Sequence, residues 1–154
     1  MKAKAIWQEN MIFTGKTNSD FPILLDTTSS ANNATPMELI AVGLVGCTAM
    51  DVISILEKKC LDVTQFEVSV EASRSSDYPR MFTSAVITYI VTGRGIDEAA
   101  VLRAIELSTT KYCSVHAMLE QAFPIDLRYE IYEDEGDGNS RLAYQGIWQE
   151  LSLE

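Results

Sequence analysis

Hydrophobic and polar positions alternate along most of this chain and give way to helical patterns in its middle. Near the N-terminus, Lys2–Gln8, Met11–Thr14 and Phe21–Asp26 read as short strands, with Gly15 closing a turn and a polar loop over Thr27–Thr35. The pattern then changes at Thr35-Pro36-Met37-Glu38. Threonine caps, proline takes the first helical position, and glutamate three residues after the cap completes a capping box. The helix is expected to run to about Lys59. Its Leu39, Ile40, Val42, Leu44, Val45, Met50, Val52, Ile53, Ile55 and Leu56 leave no clear polar face before Asp51, so it should be the central element, buried on all sides.

Beyond it, Phe66, Val68, Val70 and Ala72 alternate with polar residues in a half-buried strand. Met81–Thr92 forms a second strand with Ala85, Ile87, Tyr89 and Val91 on one face. With a turn at Asp77-Tyr78-Pro79, these two predict an antiparallel hairpin covering the core. Asp97 caps a second helix striped by Val101, Leu102, Ile105 and Leu107. A break near Ser108–Lys111 precedes a third helical piece at Ser114–Gln121, which stops before Pro124. Ile125, Leu127, Tyr129 and Ile131 mark a last core strand, followed by an acidic turn at Glu133–Gly138. The order predicts an α+β fold. No linker or repeat divides it, so residues 1–133 read as one domain and 134–154 as a C-terminal tail without an assigned structure.

Length and charge narrow the class. The 154 residues allow a real core, and the net charge of −10 opposes phosphate backbones and anionic membrane surfaces, which excludes nucleic acid as a partner. The longest uncharged apolar run, Leu39–Met50, spans 12 positions, too few to cross a bilayer. The first residues lack a signal-peptide pattern, so a cytoplasmic location with reduced cysteines is expected.

The candidate chemistry lies in Cys47 and Cys113. Each sits in an apolar, helical context among small or hydroxylated neighbours, Val45-Gly46-Cys47-Thr48-Ala49 and Lys111-Tyr112-Cys113-Ser114-Val115. One such cysteine would read as a small core hydrophobe; two that helices can bring to a shared site point to a reversible dithiol/disulfide centre. Inert core cysteines are the plain alternative.

These motifs, Thr35-Pro36-Met37-Glu38-Leu39-Ile40-Ala41 with Gly46-Cys47 and later Ser108 with Tyr112-Cys113-Ser114-Val115, resemble those of the OsmC/Ohr family. The resemblance implies an intertwined homodimer with antiparallel sheets around a long buried helix and two active sites at the subunit interface. It also implies a thiol peroxidase for small organic hydroperoxides. In that reading Cys47 is the peroxidatic thiol, Cys113 the resolving thiol, and Glu38 a catalytic carboxylate. The reductant is an external thiol, by resemblance a dihydrolipoyl group, and no bound cofactor is implied.

The chain departs from the family's pattern in its charges. No arginine precedes Arg74, and alignment on Cys47 puts Met37 where the characterised enzymes have glutamate, with Glu38 one place later. Lys16, Arg74 and Arg80 are the candidate replacement cations. Glu38 is open to both the capping and the catalytic reading. A non-catalytic protein binding an apolar molecule in the interface pocket, and a thiol redox sensor, are the alternative functions. Cys47, Cys113, His116 and Glu38 are scattered and lack the paired-ligand spacing of zinc sites, so no metal is expected. His116 shares a helix face with Cys113 and is a candidate for tuning it. Cys60, at the end of the central helix, is expected to pack in its capping region.

Overall fold

A computed structural model describes residues 1–19, 21–27 and 33–148. The chain forms two compact units, Met1–Val42 and Gly43 onward.

The first unit holds an antiparallel sheet of β1 (Ala3–Glu9), β2 (Ile12–Thr17) and β3 (Pro22–Leu25), in that order. Asn10, at φ 47°, turns the chain between β1 and β2. Gly15 therefore does not close a turn: it lies inside β2, paired with Ala5 and Ile23. Much of the loop expected over 27–35 falls at residues 28–32, outside the described residues. Helix α1 (Pro36–Lys58) starts at the capping box: the Glu38 carboxylate accepts the Thr35 N–H at 2.7 Å, and Thr35 Oγ1 accepts the Glu38 N–H at 3.2 Å.

The second unit carries a four-stranded sheet in the order β4 (Asp62–Arg74), β5 (Phe82–Arg94), β6 (Ile125–Gly136), β7 (Asn139–Trp148). β4 and β5 form the expected antiparallel hairpin. β6 departs from the antiparallel expectation and runs parallel to β5, with Tyr89 opposite Tyr129. The connection explains this. Helix α2 (Glu98–Leu107), a π-helical turn (Ser108–Tyr112) and helix α3 (Ser114–Leu119) carry the chain back to the end where β5 began. The Asp97 side chain caps α2 through the Ala100 N–H at 3.2 Å.

Residues 134–148, read from sequence as the start of a tail, instead complete β6 and build β7. Gly136, Asp137 and Gly138, all at positive φ, make the hairpin between them.

The core is the inner face of this sheet under two helices. Ile87, Tyr89 and Val91 of β5 and Leu127, Tyr129 and Ile131 of β6 pack with Leu44, Val52 and Leu56 of α1 and Val101, Ala104 and Ile105 of α2. The expectation that α1 is buried on all sides does not hold within one chain. Only Leu44, Thr48, Val52 and Leu56, a single i, i+4 stripe, are buried, while Met50 is 73% exposed and Val42 62%. By length and composition alone α1 could cross a bilayer, but its inner stripe is packed in a protein core.

The helix ends in a Schellman motif. The Leu61 N–H bonds the Leu56 carbonyl and the Cys60 N–H the Glu57 carbonyl, which places Cys60 at φ 57°, where glycine is usual. Cys60 is exposed, so its backbone serves the helix end and the expected packing role is not seen.

Candidate active site

The buried stripe of α1 carries one polar residue, Thr48, and its hydroxyl anchors the site. Thr48 Oγ1 lies 2.7 Å from the Tyr89 hydroxyl of β5 and 2.9 Å from Ser108 Oγ, and all three residues are fully buried. Ser108 in turn donates to the carboxylate of Asp51 at 3.2 Å. A polar chain therefore runs Tyr89, Thr48, Ser108, Asp51, with each buried hydroxyl partnered. Burial pushes the Tyr89 phenol well above its ordinary range, so it remains a neutral hydroxyl.

Helical spacing brings Asp51 one turn past Cys47, on the same face. Cys113 arrives from the other side of the site. The π-helical turn closes with the Cys113 N–H on the Ser108 carbonyl at 2.8 Å, and Cys113 then serves as the N-cap of α3, its Sγ accepting the His116 N–H at 3.3 Å. The wider turn separates Ser108 from Cys113 by one residue more than an α-helical turn would, so both reach the same site. The Thr109 and Thr110 hydroxyls bond the carbonyls of Ile105 and Glu106 in the preceding turn.

The sulfurs of Cys47 and Cys113 and a carboxylate oxygen of Asp51 lie within 4.8 Å of one another. Cys47 and Asp51 are half-buried, whereas Cys113 is 2% exposed. The Cys113 thiol is pushed up to about 12, first by burial and then by its hydrogen bond with Cys47, against the opposing His116 N–H; the nearby charges of Cys47 and, last, Asp51 add smaller upward pushes. The helix-start position of Cys113 does not make it a ready thiolate, because desolvation outweighs that one hydrogen bond. The arrangement is a dithiol with one accessible and one protected sulfur. Its two sulfurs and carboxylate oxygen are also donors suited to a thiophilic divalent cation.

The other sequence candidates have these places in the fold. Glu38 is engaged in the capping box at the first turn of α1, two turns before Cys47. Lys16 is on β2 of the first unit. Arg74 pairs with Phe82, seven residues along β5 from Tyr89, or about 23 Å along the strand. Its Nε donates to the Arg80 carbonyl, and Arg80 stacks on the Tyr78 ring, so within one chain both arginines brace the hairpin tip. His116 touches Cys113 through its backbone N–H, not its ring. The ring is buried, and burial holds it below the ordinary histidine range, so Nδ1 at 3.5 Å from Glu120 is a neutral contact near pH 7.

Asp51, Thr48 and Tyr89 were not among the sequence candidates. Asp51 carried a signal, since it stands four residues after Cys47 as the first charge beyond Glu38 in an apolar helix. Tyr89 carried none, because in a strand it reads as one more core aromatic.

Comparison with known proteins places this geometry. Residues 29–128 match the family described as "OsmC-like protein". Protein YhfA of Escherichia coli K12 is 43% identical over 131 residues, covering 85% of this chain and 98% of its own. The crystal structure of a hypothetical protein from Aquifex aeolicus superposes with a TM-score of 0.78 at 27% identity, covering 87% of this chain and 97% of that one. An organic hydroperoxide resistance protein OsmC from Legionella pneumophila shares the fold at 12% identity, with a TM-score of 0.61 over 84% of this chain and 94% of its own. By the extent of its matches, this chain belongs to the OsmC-like protein family.

Proposed function

We propose that the protein is a cysteine-based peroxidase that reduces small organic hydroperoxides through a Cys47–Cys113 disulfide, working as a homodimer in a reducing cytoplasm. The observation that supports this is the convergence of the two sulfurs, one half-buried and one buried. The Legionella protein's name as an organic hydroperoxide resistance protein agrees with it.

The accessible Cys47 thiolate attacks the terminal peroxide oxygen. The O–O bond breaks, the alkoxide leaves as the alcohol after taking a proton, and Cys47 becomes a sulfenic acid. The Cys113 thiol then attacks that sulfur, the S–O bond breaks, and water leaves with the Cys113 proton. An external dithiol, by family resemblance a dihydrolipoyl group, returns two electrons and two protons. Burial of Cys113 protects the resolving sulfur from direct oxidation.

The exposed apolar side of α1, including Val42 and Met50, is the surface that a second copy would cover. A second copy could also bring Arg74 or Arg80 to Cys47, since within one chain both are engaged at the hairpin tip. Asp51 favours a second reading, a redox sensor with little turnover, because its carboxylate beside Cys113 disfavours ionisation of that thiol.

The test is peptide mapping after cumene hydroperoxide, with sedimentation at micromolar concentration. The proposal expects one intrachain Cys47–Cys113 disulfide and a stable dimer, with several turnovers once a dithiol is supplied. A disulfide formed without turnover favours the sensor. Both thiols free and unoxidised after excess peroxide overturns both readings and favours a non-catalytic protein binding an apolar molecule.

A further inference from the structure

We propose that the reduced protein binds one zinc ion per chain through Cys47 Sγ, Cys113 Sγ and an Asp51 carboxylate oxygen, with a fourth position left for water. Asp51, which the sequence pattern did not single out, makes this reading possible by adding an oxygen donor to two sulfurs. The inference concerns the reduced thiols alone and holds whether or not they react with peroxide.

The donor set selects the metal. Two thiolates and one carboxylate suit a borderline-soft divalent ion, and zinc sites with three protein ligands and one open position are the common non-structural kind. Zinc at about 2.3 Å from sulfur and about 2.1 Å from oxygen places tetrahedral ligand atoms roughly 3.5–3.8 Å apart. The three atoms already lie within 4.8 Å, so rotation about side-chain bonds closes the remaining gap.

The surroundings hold these ligands in place. Ser108 donates to Asp51 at 3.2 Å and is held 2.9 Å from Thr48, which sits 2.7 Å from the Tyr89 hydroxyl. On the sulfur side, the His116 N–H donates to Cys113 at 3.3 Å. Such outer hydrogen bonds orient metal ligands and are often worth one to two orders of magnitude in affinity. Half-burial of Cys47 and Asp51 leaves an entry path, and Cys113 forms the floor. Binding converts two thiols to thiolates and releases two protons, so the divalent cation offsets the two thiolates and the site keeps the single negative charge of the carboxylate.

The experiment uses reduced, metal-stripped full-length protein carrying Cys60→Ser, so that only the two site thiols remain. Zinc is titrated in competition with a chromophoric chelator, and cobalt(II) serves as a spectroscopic probe. One zinc per chain is expected, with thiolate-to-cobalt charge-transfer bands and tetrahedral d–d bands. Adding Cys47→Ser should weaken zinc at least a hundredfold and remove most of the charge-transfer intensity. Asp51→Asn should weaken zinc at least tenfold while keeping the sulfur bands. Saturating zinc should slow alkylation of Cys47 at least tenfold. Cys47 is half-exposed and Asp51→Asn is isosteric, so these variants keep the test independent of whether Cys113→Ser folds. Binding below one-tenth of an ion per chain at micromolar zinc overturns the proposal, as does equal affinity in the Cys47→Ser variant. No peroxide is present, so failure here leaves the disulfide reading standing, and the converse also holds.

Discussion

Thr48→Val removes one hydroxyl from the centre of the buried chain without changing side-chain volume. In the parent, the Tyr89 hydroxyl is partnered by Thr48, while Ser108 bonds both Thr48 and Asp51. The substitution therefore orphans Tyr89, which is fully buried, and leaves Ser108 its carboxylate. An unsatisfied buried hydroxyl costs about 1–3 kcal/mol. Tyr89→Phe alone should cost less, about 1 kcal/mol, because Thr48 keeps Ser108. The double variant has no orphaned phenol, so its cost should fall short of the two single costs added together by about 1 kcal/mol or more. The assay is urea unfolding under reducing conditions, with unchanged m-values and a fixed protomer concentration. Additive costs within about 0.3 kcal/mol, or a Thr48→Val cost below about 0.5 kcal/mol, would refute the network.

Three further outcomes follow from the same structure. In native reduced protein between pH 7 and 9, a maleimide should label exposed Cys60 first and Cys113 last, since a thiol pushed up to about 12 and 2% exposed supplies almost no accessible thiolate; equal labelling of the two refutes this. Cys60→Gly should raise stability by about 1 kcal/mol by relieving a left-handed backbone at the end of α1, read as a higher urea midpoint. Burial lowers the His116 pKa in the folded state, so stability is fully present above the unfolded value of about 6.5 and is lost as pH falls below it, where only the unfolded chain gains this proton. Unfolding between pH 7 and 5 should show that slope, at most about 1.4 kcal/mol per pH unit, and His116→Asn should flatten it.

What the sequence determined by itself was local. Thr35, Pro36 and Glu38 set the start of α1 because capping is settled within four residues, and Asp97 set the start of α2 for the same reason. Alternation placed the β4–β5 hairpin and the inward face of β6, since side chains in a strand change face at every residue. The motifs around Cys47 and Cys113 identified the family and named the two thiols. Tertiary structure decided the rest. β5 and β6 pair in parallel because two helices and a π-helical turn return the chain to the same end of the sheet. An apolar helix buries only the Leu44–Thr48–Val52–Leu56 stripe within one chain, because a single sheet covers only one side of it. Residues 139–148 became a strand because β6 offered a free edge, a pairing their weak alternation did not announce. Tyr89 and Ser108 reach Thr48 and Asp51 of α1 across 41 to 60 positions of sequence, and hydrogen bonds at that separation leave no periodic trace in the chain. The sequence thus specified which atoms could react, and the fold decided which groups surround them, because local propensity acts over one turn and a site is assembled across the whole core.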